Sequence, residues 1–190
     1  MIWETVVTTQ ALDGRVHIAP MGIRVEGGQI VLAPFRPSTT LDNLLATRVA
    51  AVNVVDDVRV FAGCLTGRRD WPTVACDRIA GTRLADAVGH RELELRRIEE
   101  DAQRPRLVCD VVTERTHRPW CGFNRAQAAV VEAAILVSRL ELLPAARIDG
   151  ELEYLAIAIE KTAGPAEREA WGWLLASVEQ FRGRLRQEKI

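Results

Sequence analysis

The sequence predicts a mainly β fold with α: a run of β-strands containing one short helix, followed by a helical C-terminal part. The first half carries short segments of β-branched residues separated by turns rich in Gly, Pro and Asp. A strongly apolar run at residues 49–55 is bounded by two aspartates, which indicates a buried strand. From residue 124 the apolar spacing changes to that of helices. We therefore expect two domains, residues 1–120 and 121–190.

The first strands are predicted to form two hairpins. A Leu-Asp-Gly-Arg turn at residues 12–15 follows the first strand, and a Gly-Gly pair at residues 27–28 joins the second hairpin. The Ala-Pro-Met-Gly segment at residues 19–22 is expected to interrupt the strand between these turns. A short helix is predicted at residues 41–47, and residues 58–62 form either a strand or a turn.

The middle of the chain, residues 65–90, shows little pattern because glycines and a proline divide it. Two alternating segments at residues 92–101 and 106–116 predict paired strands. Three helices are expected after them. One covers residues 126–143, the second is capped by Asp149 and covers residues 150–161, and the third begins at Pro165. The third carries an apolar stripe of Trp171, Leu174, Leu175, Val178 and Phe181.

The bulk composition is that of a globular protein. Of the 190 residues, 48% are hydrophobic and 27% are charged, and the net charge of −1 provides no field to recruit nucleic acid or an anionic membrane. No apolar run reaches the about 18–20 residues that cross a bilayer, and the first residues lack the features of a secretory signal. We therefore expect a cytoplasmic protein.

The cysteine and histidine content argues against a structural zinc site. The four cysteines show no C-x-x-C spacing, and the chain has three histidines, so we expect no metal and reduced thiols. Cys121 could serve as a redox thiol, but the safer prediction is a buried, inert cysteine.

The junction at residues 33–44, APFRPSTTLDNL, has two interpretations. Thr39 and Asp42 fit a capping box, which needs no ligand. Alternatively, the free N–H groups of the helix start, the hydroxyls of Ser38, Thr39 and Thr40, and the guanidinium of Arg36 bind an anion such as phosphate. The glycines and the lysine of a P-loop are missing. The residues alone leave both interpretations open.

Two further segments combine structural and binding signals. Residues 17–22, HIAPMG, mark a strand whose backbone groups could bind a flat heterocycle, or else a bulge or a distorted edge. At the start of the first long helix, Asn124 is predicted to be the N-cap, with Gln127 returning to the cap. Arg125 recurs in a polar stripe with Glu132 and Arg139, so mutual ion pairing is one explanation for it.

The order of these segments resembles a known group. ETVVTTQALDGRVHIAPMGI and APFRPSTTLDNLLATRVAAVNVVDD are similar to the flavin reductase-like, FMN-binding split barrels. DDVRVFAG and GFNRAQAAVVEAAILVSRL resemble, within that group, the family named domain of unknown function 447 (DUF447). The resemblance covers most of the chain and implies a six-stranded antiparallel split β-barrel with a C-terminal helical subdomain. It also implies a homodimer that binds FMN near the subunit interface.

The resemblance carries particular residues to the cofactor. The FMN phosphate would be surrounded by Arg36, Ser38, Thr39, Thr40 and Asn43. The isoalloxazine and the ribityl chain would lie along His17, Ala19, Pro20, Met21 and Gly22. Ala33, Pro34 and Phe35 would lead the strand into the phosphate loop, and Asn124 and Arg125 would approach from the helical part. Residues 64–89 have no match in ordinary flavin reductases, so a substrate pocket cannot be placed.

Three functions follow as hypotheses. The chain is a flavin-dependent oxidoreductase of unknown substrate, or an FMN-binding protein without catalysis that serves in storage or electron transfer. The third is a split barrel that uses a deazaflavin or haem. No residue stands out as a general acid or base, and His17 is the candidate near the expected ring.

Overall fold

A computed structural model describes residues 1–187 of the chain. It divides into two compact units, which we describe separately. The barrel unit comprises Met1–Asp56 and Arg69–Trp120, and the helical unit comprises Asp57–Arg68 and the chain from Cys121 onward. Division of the chain at residue 120 into two domains stays a prediction.

The barrel unit is built on six antiparallel strands that close in the order β1-β2-β3-β8-β7-β4. Its elements are β1 (Ile2–Gln10), β2 (Val16–Glu26), β3 (Gln29–Leu32), α1 (Thr39–Thr47), β4 (Val49–Val54), β5 (Thr73–Ala75), β6 (Thr82–Leu84), β7 (Gly89–Glu99) and β8 (Arg106–Thr116). Closure leaves no free edge around most of the barrel, because each strand finds partners on both sides. The predicted six-stranded split barrel with helices is confirmed.

The first two hairpins form as predicted. β1 pairs with β2 across the turn at residues 11–15, and β2 pairs with β3 across Gly27 and Gly28, whose φ angles are 57° and 83°. Two consecutive positive φ angles suit a tight hairpin turn and favour glycine at both positions. The predicted interruption at residues 19–22 is wrong. β2 runs through this segment in unbroken register with β1, and Pro20 lies opposite Val6.

The barrel interior is filled by alternate residues of all six strands together with leucines of α1. The fully buried side chains include Val7, Ile23, Ile30, Leu32, Leu41, Leu44, Val52, Leu93, Leu107 and Cys109. Alternation places the intervening residues on the outer face. This explains why a buried polar residue such as Asn53 lies between two valines in the sequence.

The two-stranded ribbon β5–β6 is held by polar side chains of the barrel. The hydroxyl of Thr8 donates to the carbonyl of Thr82 at 2.6 Å, and the amide oxygen of Asn53 accepts from Leu84 N–H at 2.8 Å. Buried side chains of the barrel thereby form hydrogen bonds with backbone groups of the β5–β6 ribbon, which is too short to be stable by itself. The sequence assigned no structure to this segment because hydrophobic alternation does not report such hydrogen bonds.

The helical unit contains α2 (Arg59–Leu65), α3 (Arg125–Val137), α4 (Ala145–Thr162) and α5 (Pro165–Gln187). The prediction of a strand or turn at residues 58–62 is wrong. Val58 and Ala62 are four residues apart and both lie in the apolar core of this unit, a spacing that places them on one helix face. None of the helices among residues 1–187 is long and apolar enough to cross a membrane.

Two predicted helix boundaries differ from the structure. α3 ends at Val137, earlier than residue 143. α4 starts at Ala145, so Asp149 lies inside it and forms an ion pair with Arg182 instead of capping the helix. Pro165 begins α5 as predicted. In the α5 stripe Trp171, Leu174 and Val178 are buried, whereas Leu175 is partly exposed and Phe181 packs at the margin of the core.

The start of α3 confirms one prediction and overturns two. The Asn124 side chain accepts from the N–H groups of Ala126 and Gln127, so Asn124 is the N-cap. The Gln127 side chain donates to Glu167 at 3.3 Å instead of returning to the cap. Cys121 is exposed, so the prediction that it is buried is wrong.

Candidate functional site

A cleft of about 470 Å³ opens in the barrel unit where β2 meets the start of α1. It is lined by His17, Ala19, Pro20, Met21, Gly22, Ala33, Pro34, Phe35, Ser38, Thr39, Thr40, Arg69 and Arg104. The structure therefore brings together eleven of these residues from segments that the sequence analysis singled out, and adds two arginines that it did not. We call this space the β2–α1 cleft.

One wall of the cleft is an unpaired stretch of strand edge. β2 pairs with β1 from Val16 to Arg24, but β3 pairs with it only from Arg24 to Glu26. Within residues 1–187, residues 17–22 therefore have a strand partner on one side only. Pro20 is tolerated here, since a proline belongs at a strand edge. The Met21 carbonyl accepts from the hydroxyl of Thr5 at 2.8 Å. The other backbone groups of this edge are available to a planar ligand that carries hydrogen-bonding atoms along one side.

The opposite end of the cleft is the N-terminus of α1. The N-cap is Ser38, whose hydroxyl accepts from Leu41 N–H at 3.3 Å, so the predicted capping box led by Thr39 is wrong. Asp42 N–H bonds to the Ser38 carbonyl. The N–H groups of Thr39 and Thr40 have no backbone partner within residues 1–187. These two donors and the positive end of the helix dipole suit an anion.

Arg104 adds a positive charge to the cleft. Its guanidinium donates to the carbonyl of Ala33 at 2.9 and 3.1 Å and lies 4.4 Å from the centre of the Phe35 ring. The carbonyl and the ring hold the guanidinium in one place, which reduces the entropy lost when it binds a further group. Phe35 is itself 61% exposed at the cleft.

His17 and Arg69 form the other polar part of the lining. Burial, with a smaller contribution from the charge of Arg69, lowers the pKa of His17 below its ordinary value of 6.5. His17 is therefore a neutral imidazole at neutral pH, able to donate one hydrogen bond and accept another. A neutral ring beside a guanidinium avoids the repulsion that two cations would have.

Four predicted site residues lie outside the cleft lining. Arg36 is exposed and pairs with Glu100 at 3.2 Å. Asn43 is buried and donates to the hydroxyl of Thr9 at 3.1 Å, so it fastens α1 to β1. Asn124 and Arg125 belong to the helical unit, where Asn124 caps α3 and also donates to the Thr162 carbonyl at 3.2 Å. Their approach to a cofactor stays a prediction.

Sequence reasoning missed Arg69 and Arg104 because neither lies near the other cleft residues in the chain. Arg104 precedes β8 and reaches the Ala33 carbonyl only because β8 pairs with β3. Arg69 lies in the segment that showed no pattern. An arginine directly before a proline and a strand was the one available signal for Arg104, and it is common in loops.

The cleft thus combines an end suited to an anion with an edge suited to a flat polar ring. Comparison with sequence families decides the group to which such a barrel belongs. The family model described as protein of unknown function (DUF447), N-terminal domain, matches residues 3–118, and a second model of the same family, DUF447, matches residues 124–176. This chain belongs to the DUF447 family. A search of the curated proteins found no match.

Solved structures share the fold of this family member. The FMN-bound protein MM1853 from Methanosarcina mazei, of the same family, is 21% identical, and the alignment covers 93% of this chain and 94% of that one with a TM-score of 0.81. The NADH:FAD oxidoreductase SgcE6 of Streptomyces globisporus C-1027 is 17% identical over 60% of this chain and 75% of its own, with a TM-score of 0.51.

An FMN-binding protein from Thermus thermophilus, solved with bound 1-cyclohex-2-enone, is 16% identical over 60% of this chain and 68% of its own, with a TM-score of 0.53. At these identities the likeness shows a common fold. Only the family member MM1853, among these three, is matched over nearly the whole of both chains. The resemblance to flavin reductase-like split barrels and to DUF447 is therefore confirmed.

Proposed function

We propose that this chain is an FMN-binding flavoprotein and that FMN occupies the β2–α1 cleft. The observation that carries the proposal is the pairing of a helix N-terminus with two free N–H groups and an unpaired strand edge in one cleft. A phosphate ester joined to a planar heterocycle needs both features. The FMN-bound protein MM1853, of the same family, supports the choice of ligand.

The residues of the cleft fit the parts of FMN. The amides of Thr39 and Thr40, their hydroxyls and the guanidinium of Arg104 would hold the phosphate, since charge-assisted hydrogen bonds bind phosphate most strongly. The edge of β2 from His17 to Gly22 would hold the isoalloxazine through backbone groups. Gly22 is required by the packing of β1 on β2, because an added Cβ would lie 2.7 Å from Cγ2 of Ile2.

FMN, when bound, supplies hydride and electron transfer, and the protein supplies position and electrostatics. Backbone donors of β2 placed at the pyrimidine side of the ring would favour the reduced form, whose negative charge they stabilise. His17 would remain neutral beside the ring. We assign no catalytic residue, because no titratable group in the cleft has the geometry of a general acid or base with a positioned partner.

We further propose that the activity is that of a flavin reductase-like oxidoreductase. The oxidoreductase SgcE6 shares the fold, which supports this proposal, and a non-catalytic FMN carrier is the alternative. Absorbance of the purified protein separates the ligands: bands near 375 and 450 nm indicate flavin, a band near 420 nm a deazaflavin, and a Soret band haem. Stopped-flow mixing with NADH or NADPH then distinguishes an enzyme from a carrier by whether the flavin bleaches.

We also propose a homodimer with the cofactor near the interface. An exposed aromatic ring at the cleft, Phe35, supports this, since a partner chain would cover it. Sedimentation equilibrium at micromolar concentration tests the dimer, and a monomer would refute it. A cytoplasmic location remains a prediction.

The decisive experiment separates the phosphate contact from the ring contacts. We expect wild-type protein to bind FMN more tightly than riboflavin, which lacks the phosphate. Arg104→Gln should weaken FMN binding about 10- to 150-fold, the equivalent of the about 1.5–3 kcal/mol of a charged hydrogen bond, and leave riboflavin binding nearly unchanged. The control is Arg147→Gln, since this arginine pairs with Glu151 on exposed α4.

Titration of flavin fluorescence measures all of these affinities. Equal affinity for FMN and riboflavin in the wild type would refute the phosphate site. A protein that takes up neither flavin would refute the proposed function altogether.

A further inference from the structure

Three polar side chains outside the β2–α1 cleft form a chain of hydrogen bonds from the barrel wall to the surface. In β7, Nε2 of His90 lies 3.0 Å from Oε1 of Glu92, and neither side chain is exposed. Nδ1 of His90 lies 2.9 Å from Nε2 of His117, which follows β8 and is exposed. A buried carboxylate is thereby connected to solvent through two imidazoles.

The carboxylate end of the chain is charged and fixed. Glu92 accepts from the backbone N–H groups of Asp77, Arg78 and Ile79 at 2.6, 2.8 and 3.0 Å, in addition to His90. Burial by itself raises the pKa of Glu92, but the hydrogen bonds from His90 and the three amides outweigh it and bring the pKa below its ordinary value. An ionised carboxylate only accepts, so Nε2 of His90 must carry a hydrogen.

The two imidazoles meet edge to edge. Their planes differ by 11° and their centres are 5.0 Å apart. For two imidazole rings whose nearest nitrogens are 2.9 Å apart, this distance between ring centres is almost the largest possible. Each nitrogen therefore points at the other. One nitrogen therefore donates an N–H and the other accepts it.

The same geometry argues against a metal ion between the rings. Asp77, His90 and Glu92 offer potential ligand atoms within 4.8 Å of one another. However, two imidazoles bound to a tetrahedral zinc both point at the metal, which lies off the line that joins their two ligating nitrogens. With Zn–N bonds of about 2.0–2.1 Å, those nitrogens are about 3.3 Å apart. The oxygens of Glu92 are also already occupied by four donors.

We propose that Glu92, His90 and His117 form a proton relay, with Nδ1 of His117 as a general base for a small weak acid at the surface. In the resting state Nε2–H of His117 donates to Nδ1 of His90, which leaves the lone pair of His117 Nδ1 exposed to solvent. When Nδ1 of His117 takes a proton, its Nε2–H bond breaks and an Nδ1–H bond forms on His90. The positive charge then lies beside the carboxylate of Glu92.

The charged groups around the relay come from three further elements. Asp77, in the turn between β5 and β6, favours a protonated His117, whereas Arg83 of β6 opposes it. Arg115 of β8 lies 3.4 Å from Asp77 and weakens the effect of that carboxylate. Burial is the main cause that lowers the pKa of His117, followed by the charge of Arg83. His117 thus keeps its exposed lone pair at neutral pH.

The chain has three histidines, so NMR of the ¹⁵N-labelled wild-type protein tests the relay without a variant. At pH 8 we expect His90 to carry hydrogen on Nε2 and His117 to carry it on Nε2 as well. As the pH falls, the shift that marks protonation should appear at Nδ1 of His90, together with a change from a lone pair to N–H at Nδ1 of His117. Titration of His117 with an unchanged His90 would overturn the proposal, as would zinc-induced loss of the His90 signals.

Glu92→Gln tests the role of the carboxylate. We expect proton uptake by the histidine pair to move down by about 1–3 pH units, the range for loss of an adjacent opposite charge. Glu94→Gln is the matched control, because this exposed residue lies two positions further along β7. His17, in the cleft, should titrate unchanged in both variants. Equal titration of the pair in the wild type and in Glu92→Gln would overturn the proposal.

The rate of acylation by diethyl pyrocarbonate measures the reactivity of the basic nitrogen of His117. The Nδ1 lone pair attacks a carbonyl carbon, ethyl carbonate leaves as an anion, and the proton on Nε2 passes to His90. The ethyl carbonate then takes a proton from water and breaks down to ethanol and carbon dioxide. Peptide mass spectrometry should show about tenfold slower acylation of His117 in Glu92→Gln and an unchanged rate at His17. An unchanged rate at His117 would count against the relay, whatever the outcome for FMN.

Discussion

The hydrogen bonds of Glu92 make a strong prediction about stability. Glu92→Ala removes one buried carboxylate and leaves three backbone N–H groups and the Nε2–H of His90 without their acceptor. Loss of one partner from a buried charged interaction costs about 3–5 kcal/mol, because the groups left behind remain desolvated. Water that enters the space of the side chain can satisfy some of these donors, so we expect the lower part of that range, about 3–4 kcal/mol.

Urea unfolding followed by tryptophan fluorescence measures this loss, since the chain has five tryptophans. The control is Glu94→Ala on the same strand, where the side chain is exposed and the expected change lies within about 0.5 kcal/mol. The slope of the free energy of unfolding against urea concentration should be the same in all three proteins. A loss below about 1 kcal/mol for Glu92→Ala would refute the claim that this carboxylate anchors the turn between β5 and β6.

Three further predictions concern stability. Gly150→Ala should raise the free energy of unfolding by about 0.5–1 kcal/mol, because this exposed glycine lies inside α4 and an added Cβ meets no atom within 4 Å; thermal unfolding checks it, and a lower melting temperature would contradict it. Gly89→Ala should lower the free energy of unfolding by about 1–3 kcal/mol in the same assay, because the added Cβ would lie 2.8 Å from a backbone oxygen of β8. An unchanged free energy of unfolding would contradict this, since it would show that the two strands move apart without cost. The free energy of unfolding should fall as the pH drops below about 6.5. Burial, the largest cause, lowers the pKa of His17 and of His117 in the folded protein. As the pH falls, these two histidines therefore take up protons in the unfolded chain before they do so in the folded one. The stability that the two neutral histidines contribute is fully present above their pKa in the unfolded chain. Urea titrations from pH 8 to 5 measure how the free energy of unfolding depends on pH. Replacement of both histidines by Asn should make the free energy of unfolding less dependent on pH in this range.

The strands of the barrel were predictable because their sequence patterns depend on residues that are close together in the chain. Alternation of apolar and polar residues in β7 and β8 follows from one face being buried, and the Gly27–Gly28 pair matches the backbone that a two-residue turn requires. The same holds for Pro165, whose fixed φ suits the first turn of α5. In these elements the local preference and the tertiary environment agree.

The errors arose where the tertiary environment decided between local alternatives. Residues 58–62 are rich in valine and phenylalanine, which favours a strand, yet Val58 and Ala62 contribute to a helical core and α2 forms. Pro20 was expected to interrupt β2, but proline is compatible with a strand whose other edge has no partner in the described part of the chain. Neither fact is contained in the local sequence.

The candidate site divides in the same way. The hydroxyl-rich junction at the start of α1 and the HIAPMG segment of β2 were visible as sequence patterns, and the structure places both in one cleft. Arg104 was not visible, because its place beside Ala33 depends on the pairing of β3 with β8. The relay of Glu92, His90 and His117 was missed for the same reason, since its two histidines are separated by 27 positions in the chain.

The amino-acid sequence by itself determined the strand and helix order, the tight turns and the helix start that faces the cleft, because these depend on residues close together in the chain. Tertiary structure alone decided which charged groups lie together: Arg104 with the start of α1 in the β2–α1 cleft, and the buried carboxylate of Glu92 with two imidazoles. The physical reason is that electrostatic and hydrogen-bonding energies depend on distance in space, and the closing of the barrel sets those distances.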